Sequence, residues 1–351
     1  MSRLSLDSVK WKEFVLGNLF DIQIGKAING NKIQGNLGEK PYITRKVTDN
    51  GLDNFIDNYP REFLYSDVPV ITIGNETAKP FVQVTPFYTG TKVNILKPKE
   101  QLEKEKLLFV GMALEKACDR YSYSFTANST RLKKQIILLP VDANGNPNWR
   151  FMGEYVKQKQ NIQTEKLINY YEKKLLGHDV TTKLSCVNWK SFWLEDIVDI
   201  KSGKDIYHRE RLEGDIPYIT ATAGNNGIGY FIGNTNATLE EDCISVNRNG
   251  SVGYSFYHPY KALYGNDTRK LIPKVKGKYV SLFITTSITK QREKYGYGYK
   301  MGTGRLKRQK IMLPVDENGN PHWEYMHKYM QKLESEKIGQ LINYYNNKEL
   351  E

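Results

Sequence analysis

Two rhythms of hydrophobic and polar positions alternate along this chain. Short β-branched and aromatic runs, broken by Gly and Asn, fill the middle stretches: "VPVITIG" from Val68, "FVQVTPFY" from Phe81, "CISVNRNGSVGYSFY" from Cys243 and "YVSLFIT" from Tyr279. Their spacing predicts short strands joined by turns. Helical pieces intervene, notably "EKEKLLFVGMALEKACDRY" from Glu103. The slower rhythm belongs to two long segments. In the first, Met152, Val156, Lys159, Gln163, Leu167 and Tyr171 recur at three-to-four spacing. In the second the stripe is Met326, Met330, Leu333, Lys337, Leu341 and Tyr345. Each predicts an amphipathic helix with a narrow seam, and about 27 residues at ~1.5 Å each give a rod of roughly 40 Å. Such a seam is hidden either by pairing the two helices or by packing each on its own globular part.

The second half of the chain repeats the first. "WKEFVLGNLFDIQIGK" at Trp11 returns as "WKSFWLEDIVDIKSGK" at Trp189, and "PYIT" at Pro41 returns at Pro217. "RLKKQIILLP" at Arg131 returns as "RLKRQKIMLP" at Arg305, and "LINYY" at Leu167 returns at Leu341. "LPVDANGNPNW" from Leu139 returns as "LPVDENGNPHW" from Leu313. Order is preserved throughout, so this is a tandem duplication with a period far beyond that of solenoid repeats. The duplicated Leu-Pro box predicts a strand end, then a tight turn with positive φ at Asn144-Gly145 and Asn318-Gly319. Asn146 and Asn320 would cap the long helices, with Pro147 and Pro321 at the first helical position and Trp149 and Trp323 anchoring the first turn.

Composition narrows the class of partner. With 51 basic against 39 acidic residues the chain carries a net charge of +12, which favours a polyanion whose counterions are released on binding. Cys118, Cys186 and Cys243 are too scattered for a zinc framework and odd in number for disulfides, so they read as reduced thiols of a cytoplasmic protein. The start has no apolar leader core, and no run approaches the roughly 18 apolar residues that span a membrane. The sequence has no [DN]PP[YF] methylase box, no GxxxxGK[ST] loop and no HExxH.

The order of globular part, long helix, globular part, long helix resembles the specificity subunits of type I restriction–modification systems. The resemblance spans essentially the whole chain. It is carried by the two Trp-Lys segments, the "PYIT" boxes and the helices with "LINYY"; the "LPVDxNGNPxW" boxes look like those of related type IIB specificity subunits. It implies an α+β fold with two tandem target recognition domains, residues 1–146 and 179–320, each followed by a spacer helix, 147–178 and 321–351. The two helices would pair as an antiparallel coiled coil about a pseudo-two-fold axis. Its seam would be Met152, Val156, Leu167 and Tyr171 against Met326, Met330, Leu333, Leu341 and Tyr345. The implied function is to read a two-part sequence in double-stranded DNA, without catalysis or metal of its own. The implied partners are two methyltransferase subunits, which bring S-adenosylmethionine, and in restriction complexes a nuclease and motor subunit. Two alternatives stay open: an autonomous DNA-cleaving enzyme with an unrecognised site, and an interaction scaffold that does not bind DNA.

Candidate DNA contacts lie in loops. "YSYSFTANSTRLK" from Tyr121 aligns with "YGYGYKMGTGRLK" from Tyr295, each reading as an aromatic strand that opens into a small-residue loop. Arg131 and Arg305 would clamp phosphates there, helped by Asn128, Thr130 and Lys133 and by Lys300, Thr303 and Lys307. The copies differ most in other loops, where bases would be read. The first copy offers Lys26, Lys32, Arg45, Asn75, Glu76 and Lys79. The second offers Lys204, His208, Arg209, Asn225 and Asn226, with Arg269 beyond. Arg248 and Asn249 match the donor and acceptor geometry of guanine and adenine.

Overall fold

The computed structural model describes residues 3–33, 38–57, 59–177 and 187–348, with the side chains of Lys32 and Lys348 excluded. The chain divides into two compact units, Met1–Leu167 and Ile168–Glu351. Cys186 lies outside the described residues, as does part of the first copy's "NGNKIQGNLGEK" loop.

In the first unit, β1 (Trp11–Val15) leads through a single helical turn, α1 (Leu16–Leu19), into β2 (Phe20–Ile24). There follow β3 (Lys40–Ile43), β4 (Leu52–Ile56), β5 (Val70–Gly74), β6 (Pro80–Gln83), β7 (Tyr88–Thr89) and β8 (Val93–Pro98). Then come α2 (Lys104–Ala117), α3 (Ser129–Lys133), β9 (Ile136–Pro140) and the long α4 (Trp149–Leu175), whose residues from Ile168 onward belong to the second unit. The second unit repeats the series: β10 (Asn188–Trp193), α5 (Leu194–Ile197), β11 (Val198–Ser202), β12 (Ile216–Ile219), β13 (Ile228–Ile232) and β14 (Cys243–Asn247). It continues with β15 (Ser255–His258), β16 (Leu263–Tyr264), β17 (Thr268–Pro273), α6 (Lys278–Thr289), α7 (Thr303–Lys307), β18 (Lys310–Val315) and α8 (Trp323–Lys348).

Sheet order is the same in both. A four-stranded sheet runs β2-β8-β5-β6 in one unit and β11-β17-β14-β15 in the other, and a three-stranded sheet runs β4-β3-β7 and β13-β12-β16. A separate antiparallel pair, β1 with β9 and β10 with β18, sets Trp11 opposite Pro140 and Trp189 opposite Pro314. The repeated Trp-Lys and Leu-Pro boxes are therefore partners: each unit closes by pairing its first strand with its last. The main cores are equivalent too. Leu16, Leu107, Leu132 and Met152 lie in one, and Leu194, Phe283, Leu306 and Met326 in the other.

Three local expectations are corrected. The "YVSLFIT" run is not a strand but the body of α6. Its Ser and Thr side chains bond back one turn, Thr285 Oγ1 to Ser281 O at 2.7 Å and Thr289 Oγ1 to Thr285 O at 2.9 Å. Burial of Tyr279, Val280, Phe283, Ile284 and Ile288 on one face then overrides their β preference. The long helices start later than expected. Gly145 and Gly319 do take positive φ, 77° and 76°, but the caps are Asn148, whose Oδ1 accepts from Phe151 N–H at 3.0 Å, and His322, whose Nδ1 accepts from Tyr325 N–H at 3.3 Å. Pro147 and Pro321 bridge back to Val141 and Val315 instead. The turn itself is organised by Asp142, whose Oδ1 accepts from Asn144 and Asn146 N–H, both at 2.9 Å; Asp316 repeats both bonds.

The seam is the third. Met152 and Val156 are buried in the first unit's core, and Met326 is buried in the second's with Met330 against it. Leu333 and Leu341 are exposed, while Leu167, Tyr171 and Tyr345 are half-buried. Beyond the domain, the buried stripe of α8 runs through Ser335 and Ile338, with Ile342 and Tyr345 half-buried. At about 100° per residue, Ser335 and Ile338 lie roughly 180° and 120° around α8 from Met326. The face committed to the domain core in the first turns is therefore not the face covered further along.

Candidate nucleic-acid interface

Antiparallel pairing in the four-stranded sheets gathers the chain reversals at one end. In the first unit this end holds the exit of β2 at Gly25-Lys26, the β5–β6 loop and the turn into β8. Asn75 closes the ladder there, its N–H donating to Lys92 O at 3.0 Å. Its Oδ1 accepts from Asn94 Nδ2 at 2.6 Å, and Asn94 also donates to Ala127 O at 3.0 Å. Asn75 is thus a buried strut, not a free base reader. Glu76 receives Arg45 Nη1 and Lys92 Nζ, each at 2.7 Å. Burial alone would raise the Glu76 carboxyl pKa; the Arg45 and Lys92 bonds outweigh it and hold the pKa below the usual value. Lys79 pairs with Glu115. Lys26 is exposed, and the side chain of Lys32 lies outside the described set.

The second unit has the same end with different chemistry. Arg248 N–H donates to Asp267 O at 2.8 Å, matching Asn75 to Lys92. Arg248 Nη2 and Asn249 Nδ2 both reach Asp267 Oδ1, at 3.0 and 3.3 Å. Fully buried Asn247 donates to Thr222 O at 2.9 Å. Asn247 Oδ1, Arg248 Nε and Asn249 Oδ1 are buried with no hydrogen-bond partner, as is Arg211 Nη1 nearby. Unsatisfied polar atoms are costly, and three of them lie together on this loop. A cleft of about 450 Å³ opens beside it, lined by Tyr207, His208, Arg211, Tyr218, Thr222 and Asp267 among others. Lys204 and Arg209 are exposed.

Several other candidates are held by bonds within the fold. Arg269 is buried, with Nε on Thr303 Oγ1 at 2.7 Å and Nη1 on Asn266 O and Thr268 O, so neither Arg269 nor that face of Thr303 is free for DNA. Burial and neighbouring Arg248 lower its pKa. Asn226 donates to Tyr257 O and Tyr260 Oη, and with Asn225 takes the left-handed conformation. Asn128 caps α3 by accepting from Arg131 N–H at 2.9 Å. Thr130 is exposed, and Lys133 sits at the far end of α3, its carbonyl against Gly17. Lys307 is exposed.

The aromatic stretches fold as tight loops rather than strands. Ser122 and Phe125 exchange backbone bonds, as do Gly296 and Tyr299. Tyr121 stacks on Phe125 and Tyr295 on Tyr299, with ring centroids 5.5 and 5.6 Å apart. Arg131 lies 4.2 Å over Phe125 and donates to Thr126 O; Arg305 lies 3.9 Å over Tyr299 and donates to Lys300 O. These arginines hold their loops while keeping other donors. The loop tips lift Tyr123 and Tyr297 into solvent, the latter under Lys300 Nζ.

Among the described residues no group of three or more His, Cys, Asp and Glu is placed to hold a metal ion, and no helix is long and apolar enough to cross a membrane. Buried His258, its pKa pushed down to about 4 by desolvation and its Nε2 2.8 Å from Ser245 Oγ, is a core residue. Sequence reading missed Asp267, Asn247 and Lys92. Aligning "TGTKVN" from Thr89 with "YGNDTR" from Tyr264 would have set Lys92 against Asp267.

The chain matches the type I restriction modification DNA specificity domain twice, over residues 8–171 and 186–343. It belongs to that family. It is a specificity-subunit chain with two recognition domains. It is 41% identical over 333 residues to the type II restriction enzyme specificity subunit S.BcgI of Heyndrickxia coagulans, covering 94% of this chain and 96% of that one. Among solved structures it is similar to the S subunit of a type I restriction–modification system from M. genitalium, with 18% identity, TM-score 0.49 and coverage of 98% and 94% of the two chains. It also aligns with the HsdS subunit of Thermoanaerobacter tengcongensis, with 12% identity, TM-score 0.34 and coverage of 96% and 91%.

Proposed function

We propose that this subunit reads a two-part sequence in double-stranded DNA, one part with each recognition domain, and docks methyltransferase subunits through its long helices. The observation that carries this reading is the doubling, within one chain, of a loop-bearing sheet end and a long helix. Identical readers would need no second copy beyond a palindrome, and the two loop ends differ in charge and polarity. The similarity to S.BcgI, a specificity subunit of a restriction enzyme, supports the same reading. The helices as a joined spacer are supported by the ion pair of Lys174, at the end of α4, with Glu334 in the middle of α8. The chain would supply recognition alone, leaving S-adenosylmethionine and methyl transfer, and any cleavage or translocation, to partners in the cytoplasm.

The test is DNA binding by the subunit assembled with its methyltransferase, across a salt series. Affinity for target DNA is expected to fall about a thousandfold between roughly 50 and 200 mM salt, as several phosphate contacts require. Divalent-metal-dependent cleavage by the purified chain alone would favour an enzyme instead. Affinity that is absent, alone and assembled, would favour a scaffold.

A further inference from the structure

The two reading ends share a backbone frame but invert its charge. Asn75 N–H to Lys92 O and Arg248 N–H to Asp267 O are the same bond in the two units, so Asn75 corresponds to Arg248, Glu76 to Asn249 and Lys92 to Asp267. In the first unit the loop supplies the carboxylate and the turn supplies the cation. In the second unit the loop supplies the donors, Arg248 and Asn249, and the turn supplies the carboxylate.

Exposure differs with the inversion. The Glu76 side chain is only 10% exposed beneath Arg45 and Lys92, so the groups facing solvent there are cations. The Asp267 side chain is 49% exposed and lines the cleft. An exposed carboxylate on a DNA-reading surface repels phosphate, so it cannot serve as a backbone contact. What it can accept from is an amino group on a base edge, cytosine N4 or adenine N6 in the major groove. Arg248 Nε, Asn249 Oδ1 and Asn247 Oδ1 are buried without partners beneath it, so the hydrogen bonds of this loop are not saturated from within.

We propose that Asp267 is a specificity-determining residue of the second recognition domain, its carboxylate selecting a base that presents an amino group, while the first domain presents Arg45 and Lys92 at the equivalent place. This rests on the DNA-reading function proposed above.

The experiment sequences the DNA that the assembled complex selects from a random duplex library, for wild type and for Asp267→Asn. Asparagine keeps an acceptor for Arg248 and Asn249 but removes the charge, and an unchanged thermal midpoint checks the fold. The expected result is a two-part wild-type motif in which Asp267→Asn loses about tenfold or more of the preference at one position of one part. The other part and the gap stay as they were, and the base lost, cytosine or adenine, identifies the amino group read. A two-part wild-type motif left intact by Asp267→Asn overturns the role of Asp267 while leaving the DNA-reading function standing. Weakening of both parts together also overturns it, since it marks a structural residue. If wild type selects no two-part motif, the broader reading fails and this proposal with it.

Discussion

Gly203→Ala is expected to destabilise the second unit by about 3 kcal/mol, whereas Gly25→Ala in the first costs about 1 kcal/mol. Both glycines end the repeated segment that opens each unit. At Gly203 a Cβ would stand 2.0 Å from the carbonyl oxygen of Gly265 and 2.5 Å from that of Tyr264. Two backbone carbonyls cannot withdraw without breaking the end of β16 and its bond from Lys204 N–H, 2.8 Å to Tyr264 O. At Gly25 the Cβ would meet Thr89 Oγ1 at 2.5 Å and Cγ2 at 2.8 Å. Rotation of that threonine removes one of these contacts and a small shift of the side chain eases the other, at the loss of its bond to Lys26 O. Denaturant unfolding of the two variants measures the difference; equal effects would contradict the packing at Gly203.

Glu334→Gln is expected to cost about 2 kcal/mol at neutral pH, discounted for the water that reaches Lys174 and Lys278. Glu334 Oε1 pairs with Lys174 Nζ at 2.8 Å and Lys278 Nζ at 2.7 Å, and Oε2 accepts from Tyr279 Oη at 2.7 Å. One carboxylate therefore joins the end of α4, the start of α6 and the middle of α8. Burial alone would raise its pKa; the bonds from Lys174, Lys278 and Tyr279 outweigh burial and bring it down to about 2. A depressed carboxyl stabilises the fold above its unfolded value near 4.5, and that contribution is lost as pH falls toward 2. The gap in stability between wild type and Glu334→Gln should accordingly close across that interval. A gap that persists unchanged to pH 2 would remove the ionic explanation.

The duplication and both long helices are legible in the sequence because they rest on periodicity and repetition, which are local or self-referential. The run from Tyr279 misleads because its β-branched residues favour a strand in isolation; only its place opposite α2 in the repeat exposes the helix. The seam misleads because the predicted stripe meets the domain core through Met152 and Met326, while burial further along α8 falls on another face, through Ser335 and Ile338. At the sheet ends proposed to read DNA, loop position and charge bring the candidate residues into one neighbourhood. They do not say which polar side chains are already used. Arg269 and Asn75 look like contacts and are buried struts, while Asp267, of the wrong sign for DNA, sits exposed at the cleft. Burial and partner choice depend on strands far apart in sequence, and no single loop carries that information.

The most direct test of two recognition domains reading two sequence parts is to map every methylated site made by the subunit co-expressed with its methyltransferase. One motif of two defined parts, unlike one another and separated by a fixed number of unread base pairs, is expected. A single continuous motif, or methylation without sequence preference, would contradict it.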